Sequence, residues 1–205
     1  MTTRSNHHHQ KGFTRVDITV AVVLSALVML GSVYAMTRIL HSDKVNKQIS
    51  SVSYVFGKIK RQYQMQANTR GVSVSSLAPL GVWPSERLKK EGDSWTVTGV
   101  VNGSTEYMAS NSESINSIPT QQAFIYTLHK LPKDMCAETI KGLEKTVFAV
   151  FVADPKDYVV GATMPIGTVV KANEDAAIAP EALATACESI SGNLVTISMV
   201  NRLTN

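Results

Sequence analysis

ITVAVVLSALVMLGSVYAMT, residues Ile18–Thr37, is a run of 20 residues without a charged side chain. At about 1.5 Å of rise per residue, a helix of that length matches the roughly 30 Å hydrocarbon core of a bilayer. Nothing later in the 205 residues reaches this length without a charge. The overall hydrophobic content, 44%, is ordinary for a soluble protein, so the apolar excess sits at one end. The chain reads as one membrane-length segment near the N-terminus, followed by a soluble part the size of a single domain.

Charge orients that segment. Arg4 and Lys11 precede it, and a positive flank reads as cytoplasmic by the positive-inside rule. The remainder of the chain then lies on the far side of the inner membrane. Without residues 1–12 the formal charge falls from +4 to +2. No basic stripe stands out, so nucleic acid binding is not inferred. His7, His8 and His9 are adjacent and point in different directions on any regular backbone, so no metal site and no cofactor are expected.

The segment differs from an ordinary secretory signal. Its apolar run is too long, and no clear Ala-x-Ala site follows it. A signal anchor that is never cut is the plain alternative. Another reading begins before the run, at Lys11-Gly12-Phe13-Thr14-Arg15-Val16-Asp17. A basic residue, Gly, Phe-Thr, and an acid at the fifth position after Gly stand directly ahead of an apolar helix. This resembles the prepilin processing motif of type IV pilins and type II secretion pseudopilins. The resemblance implies cleavage between Gly12 and Phe13 by a prepilin peptidase, which then methylates the Phe13 amine. It also implies that Asp17 pairs with that amine in a neighbouring subunit. A carboxylate at the edge of a membrane segment is costly to insert and is by default functional. Without the motif, Asp17 reads as an acid favoured in the first turn of a helix. Two positions depart from the family pattern: Asp17 replaces the usual Glu, and Arg15 replaces an apolar residue.

Past Arg38 the pattern becomes amphipathic. Val45, Ile49, Val52, Phe56, Ile59 and Tyr63 step by four and three, the apolar seam of a surface helix. One helix is expected from about Thr14 to about Ala67, ending near Asn68-Thr69-Arg70-Gly71. Gly31 is a place where it can bend. Next comes a stretch rich in Ser, Gly, Asn and Pro. Within it, Ser94–Val101 reads as a strand, and Asn102-Gly103 turns it into Thr105–Met108. Gln121–Leu131 has helical or strand character. Cys136–Leu143 reads as helix, Thr146–Ala153 as strand, Pro180–Ser189 as a short helix and Leu194–Val200 as a final strand. The fold class expected is α+β, with a long N-terminal helix packed on an antiparallel β-sheet head.

Cys136 and Cys187 are the only cysteines. In an exported protein they most simply form one disulfide; two buried thiols are the alternative. A bridge closing such a loop contributes about 4 kcal/mol in the simple loop model. The residues around them carry a second resemblance. Phe124–Cys136, and Pro180-Glu181-Ala182-Leu183-Ala184-Thr185-Ala186-Cys187, are similar to the disulfide-bounded region of type IVb pilins, the bundlin and PilS-like thin-pilus kinds.

The resemblance implies a division of the chain. Residues 1–12 are a removed leader, 13–40 the transmembrane and polymerisation half of the helix, and 41–68 its amphipathic half. Residues 69–205 form the head, with an αβ loop over 69–120 and the sheet and disulfide region over 121–205. It implies a homo-oligomeric helical filament used in attachment, aggregation or conjugation. The partners are the peptidase/methyltransferase and an inner-membrane assembly platform, and the precursor sits in the bacterial inner membrane before it joins an extracellular pilus. A minor pilin or pseudopilin that primes or tips the filament is the alternative, raised by Arg15 and Asp17. Enzymatic activity is not expected: no Gly-x-Ser-x-Gly, His-Glu-x-x-His or Walker loop occurs. His129 reads as a surface or strand residue.

Overall fold

The structure, a computed structural model, describes residues 15–63, 66 and 68–203, with side chains from Ile18 onward. His7–His9, Gly12 and Phe13 lie outside the described residues. The chain divides into two compact units, residues 1–42 and 43–205. Helix α1, Arg15–Tyr63, contributes to both and passes Gly31 without interruption.

In the second unit the predicted seam is buried. Val45, Val52, Phe56, Ile59 and Tyr63 are in the core and Ile49 is half-buried against it. Each such side chain contributes about 1.5–3 kcal/mol by leaving water. The seam packs on a seven-stranded, wholly antiparallel sheet. Its strands are β1 (Leu88–Glu91), β2 (Ser94–Thr98), β3 (Thr105–Ser110), β4 (Ala123–Pro132), β5 (Ala149–Ala153), β6 (Thr168–Lys171) and β7 (Leu194–Arg202), in the order β1-β2-β3-β4-β7-β5-β6. Phe56 stands edge-on to both Phe124 and Tyr126, at centroid distances of 5.4 and 5.5 Å. Helix α2 (Val74–Leu77) adjoins the sheet. Helices α3 (Cys136–Leu143) and α4 (Pro180–Glu188) carry the cysteines. Gly142 brings α3 close to α1: a Cβ there would meet Ile49 Cδ1 at 2.2 Å.

Several boundaries differ from expectation for physical reasons. Among the described residues helix α1 is traced to Tyr63, and Gln66 is no longer helical. By Thr69 the chain has already joined the sheet: its N–H donates to Gln121 O (2.6 Å) and its hydroxyl to Ala123 O (2.8 Å). The stretch 69–120 holds α2 and three strands. β1 and β2 form a hairpin across the two-residue turn Gly92-Asp93, with Gly92 at φ 62°. The Asn102-Gly103 hairpin does form, but its connection runs from Gly99 to Ser104 and β2 stops at Thr98. β4 looked ambiguous because it is bulged. Between Leu128↔Ile197 and Leu131↔Val195, two β4 residues oppose one on β7, and Lys130 takes φ 59°. The bulge turns Leu128 and Leu131, three apart, into the same core, and so imitates helical spacing.

One carboxylate ties helix to sheet. Glu106 on β3 has 0% exposure. It accepts from Trp83 Nε1 at 3.1 Å, from the Tyr126 hydroxyl, from the Arg87 guanidinium and from Gln48 Nε2 at 3.5 Å. Arg87 also donates to Thr98 O (2.9 Å) and to Ser51 Oγ (2.7 Å). Burial, reinforced by the Glu106 charge, pushes the Tyr126 hydroxyl pKa well above the usual tyrosine value. Removing one partner from a buried ion pair strands the other. Glu106→Ala is therefore expected to cost the folded chain about 3–5 kcal/mol, against about 1 kcal/mol for Trp83→Phe. Chemical denaturation of both variants in detergent checks the ratio; equal small losses would contradict the role given to Glu106.

Candidate assembly site

Every residue from 18 to 40 is exposed, Val28 by 71% and Leu30 by 69%. A soluble monomer rarely exposes so continuous an apolar surface. Three of the polar side chains within the run bond to their own helix. Ser25 Oγ donates to Val22 O (2.8 Å), Ser32 Oγ to Val28 O (2.6 Å) and Thr37 Oγ1 to Tyr34 O (2.8 Å). They ask nothing of the surroundings, which suits a helix sealed in lipid or among other apolar helices. At the end of the run Arg38 lies over the Tyr34 ring, 5.7 Å from its centroid. Asp17 and Arg15 belong to α1, and their side chains are outside the described residues.

The two cysteines are brought together. Cys136 opens α3, Cys187 lies near the end of α4, and they are bonded at 2.02 Å with Cα atoms 6.0 Å apart. Sequence reading did not foresee the two lysines that finish these helices. Lys133 Nζ donates to Glu188 O (2.8 Å) and Ile190 O (2.7 Å), at the end of α4. Lys171 Nζ donates to Glu144 O (2.5 Å) and Val147 O (2.9 Å), just past α3. A cation there complements the negative end of the helix dipole. Burial lowers the Lys171 pKa; Glu144, Glu174 and Asp175 oppose that effect.

The sheet face away from α1 is also covered. Ile115, Ile118, Ile125, Phe148, Phe151 and Val200 form a second cluster. Beside it, Tyr158 of the β5–β6 connection sits 5.5 Å from the Tyr107 ring and 5.1 Å from the His129 ring. His129 occupies the β4 bulge, is buried, and its Nδ1 lies 3.0 Å from Thr196 Oγ1. Of the two places expected for His129, surface or strand, the strand is correct. Nothing in its sequence neighbourhood signals the tyrosines around it. Among the described residues no group of three or more His, Cys, Asp or Glu is arranged to hold a metal.

The sequence matches no protein-family model and no curated protein. The fold has counterparts among solved structures. It superposes on TcpA, a type IV pilin from Vibrio cholerae El Tor biotype, with a TM-score of 0.53 and 14% identity, over 78% of this chain and 99% of that one. It superposes on the type IVb pilin from Salmonella typhi with a TM-score of 0.53 and 11% identity, over 77% and 98%. The chain has the type IV pilin fold: a long N-terminal helix on an antiparallel sheet, with a Cys136–Cys187 disulfide.

Burial, and then the Lys130 charge, lower the His129 pKa. Below about 6.5, the unfolded histidine value, the unfolded chain binds more protons than the folded one, so stability falls as the pH falls there. The neutral His129 contributes fully above that value, and its contribution is lost as pH drops through the lowered native pKa. The melting temperature is expected to fall between about pH 7.5 and about pH 5, and to fall less in His129→Gln. Identical pH profiles would contradict this.

Proposed function

We propose that this chain is the structural subunit of a type IVb-like pilus. The observation that carries the reading is the uncovered apolar surface of α1 over residues 18–40, borne by a chain with a pilin fold. Such a surface needs lipid or copies of itself. In the precursor it spans the inner membrane. After cleavage between Gly12 and Phe13 it moves into a bundle of identical helices at the filament centre, so it is never transferred to water. Residues 13–40 are the polymerisation half, 41–68 the amphipathic half and 69–205 the head that coats the filament. Copies joined head to tail by a contact that does not close give an open-ended helix. The chain performs no catalysis in this reading; the peptidase/methyltransferase and the assembly platform act on it.

Asp17 sets the axial register by pairing with the methylated Phe13 amine of a neighbour. The cost of placing a carboxylate beside an apolar run supports a role that is fulfilled in the assembly. The wide cysteine spacing favours the IVb type. Attachment, aggregation and conjugation are all compatible roles for the filament. A second reading, a minor pilin or pseudopilin that primes or tips the filament, is favoured by Arg15 together with Asp17, both departures from the usual subunit pattern.

The test is a pair of variants in cells that assemble the filament. Asp17→Ala is expected to cut the yield of sheared filaments severely while Gly12 cleavage proceeds. Gly12→Val is expected to leave an uncleaved precursor in the membrane and no filament. Normal piliation in Asp17→Ala would remove the register role, and normal piliation in Gly12→Val would remove the processing scheme.

A further inference from the structure

A cavity of about 300 Å³ opens between α1 and the end of β7. Lys60, Lys145 and Arg202 line it together with one acid, Glu174. Among the described residues neither Lys145 nor Arg202 has a carboxylate within ion-pair distance. Glu174 in turn also acts on the charge of Lys171. The lining therefore carries three cations against one carboxylate, a formal balance of +2. Arg202 is held in place: its guanidinium lies 4.3 Å from the centroid of the Phe148 ring, which also lines the cavity.

The cavity is kept open at some expense. Gly57 lines it from the middle of α1, where glycine is among the least favourable residues. No packing requires a glycine there: a Cβ would meet only Arg61 Nη2, at 4.0 Å. Gly99, Gly142 and Gly167 differ in this respect, since a Cβ at each would meet a side chain or a backbone carbonyl at about 2 Å. On α1, Gly57 is flanked by the cavity-lining residues Ser53, Phe56 and Lys60.

We propose that this cavity is a binding site for a tetrahedral dianion, a phosphate or phosphomonoester group. The formal balance of +2 matches a double negative charge. A guanidinium fixed on an aromatic face presents its N–H groups in the forked geometry that recognises phosphate oxygens, and the flexible Lys145 supplies a second point charge. Fewer ordering costs fall on binding because Arg202 is already positioned. The inference is independent of the pilus reading.

The experiment titrates inorganic phosphate into the full chain in non-ionic detergent, near neutral pH and at physiological salt, and follows it by calorimetry. One saturable site per chain is expected. Lys145→Ala and Arg202→Ala should each weaken it by about tenfold or more, the effect of losing one charge-assisted hydrogen bond. Gly57→Leu should abolish binding by filling the cavity while leaving the melting temperature equal or higher, which separates occlusion from misfolding. Lys89→Ala, on the distant β1 edge, should bind as the parent does. Acetate, with one charge, should bind at least tenfold more weakly than phosphate. Non-saturable uptake, parent-like binding in Lys145→Ala and Gly57→Leu, or acetate binding as tight as phosphate would each overturn the proposal.

Discussion

The structure depends on one face of one helix. Val45, Val52, Phe56, Ile59 and Tyr63 give α1, the longest helix among the described residues, an apolar face that covers the inner side of the sheet. Sheet residues as far apart in sequence as Val97 and Met199 share a single core with it. Hydrophobic contact alone would leave the helix free to slide along such a surface. Glu106 limits that freedom, since a fully buried carboxylate must keep its donors. Gln48 on α1 donates to it directly, and Arg87 reaches both Glu106 and Ser51. Polar geometry thus fixes the position of a helix that apolar burial holds down.

The same helix answers to a different medium over its first half. From Ile18 to Leu40 it has no covering sheet, and its hydroxyls turn back on their own carbonyls.

Much of this was legible in the sequence because it rests on periodicity and on charge. The seam of α1, the membrane-length run, the two cysteine-bearing helices and strands β5 and β7 all announce themselves locally. What was hidden arises from pairing between distant residues. The buried Glu106 is one acid among sixteen until β3 places it under the helix. The β4 bulge disguised a strand as a possible helix. β6 is four residues long, and β1, Leu-Lys-Lys-Glu, carries an exposed polar face typical of a protected sheet edge, with little apolar alternation to see. Gly57 lines the cavity beside α1, a place that nothing in its sequence neighbourhood marks. The processing residues remain a matter of motif alone, since Gly12 and Phe13 lie outside the described residues.

The central claim is that this chain is cut, exported and polymerised. The intact mass of the protein sheared from the cell surface, with and without reductant, tests it most directly. The account predicts a chain that starts at methylated Phe13, is two hydrogens lighter before reduction because of the Cys136–Cys187 bond, and is abundant in the sheared fraction. A mass that starts at Met1, or a protein confined to the membrane, would contradict it.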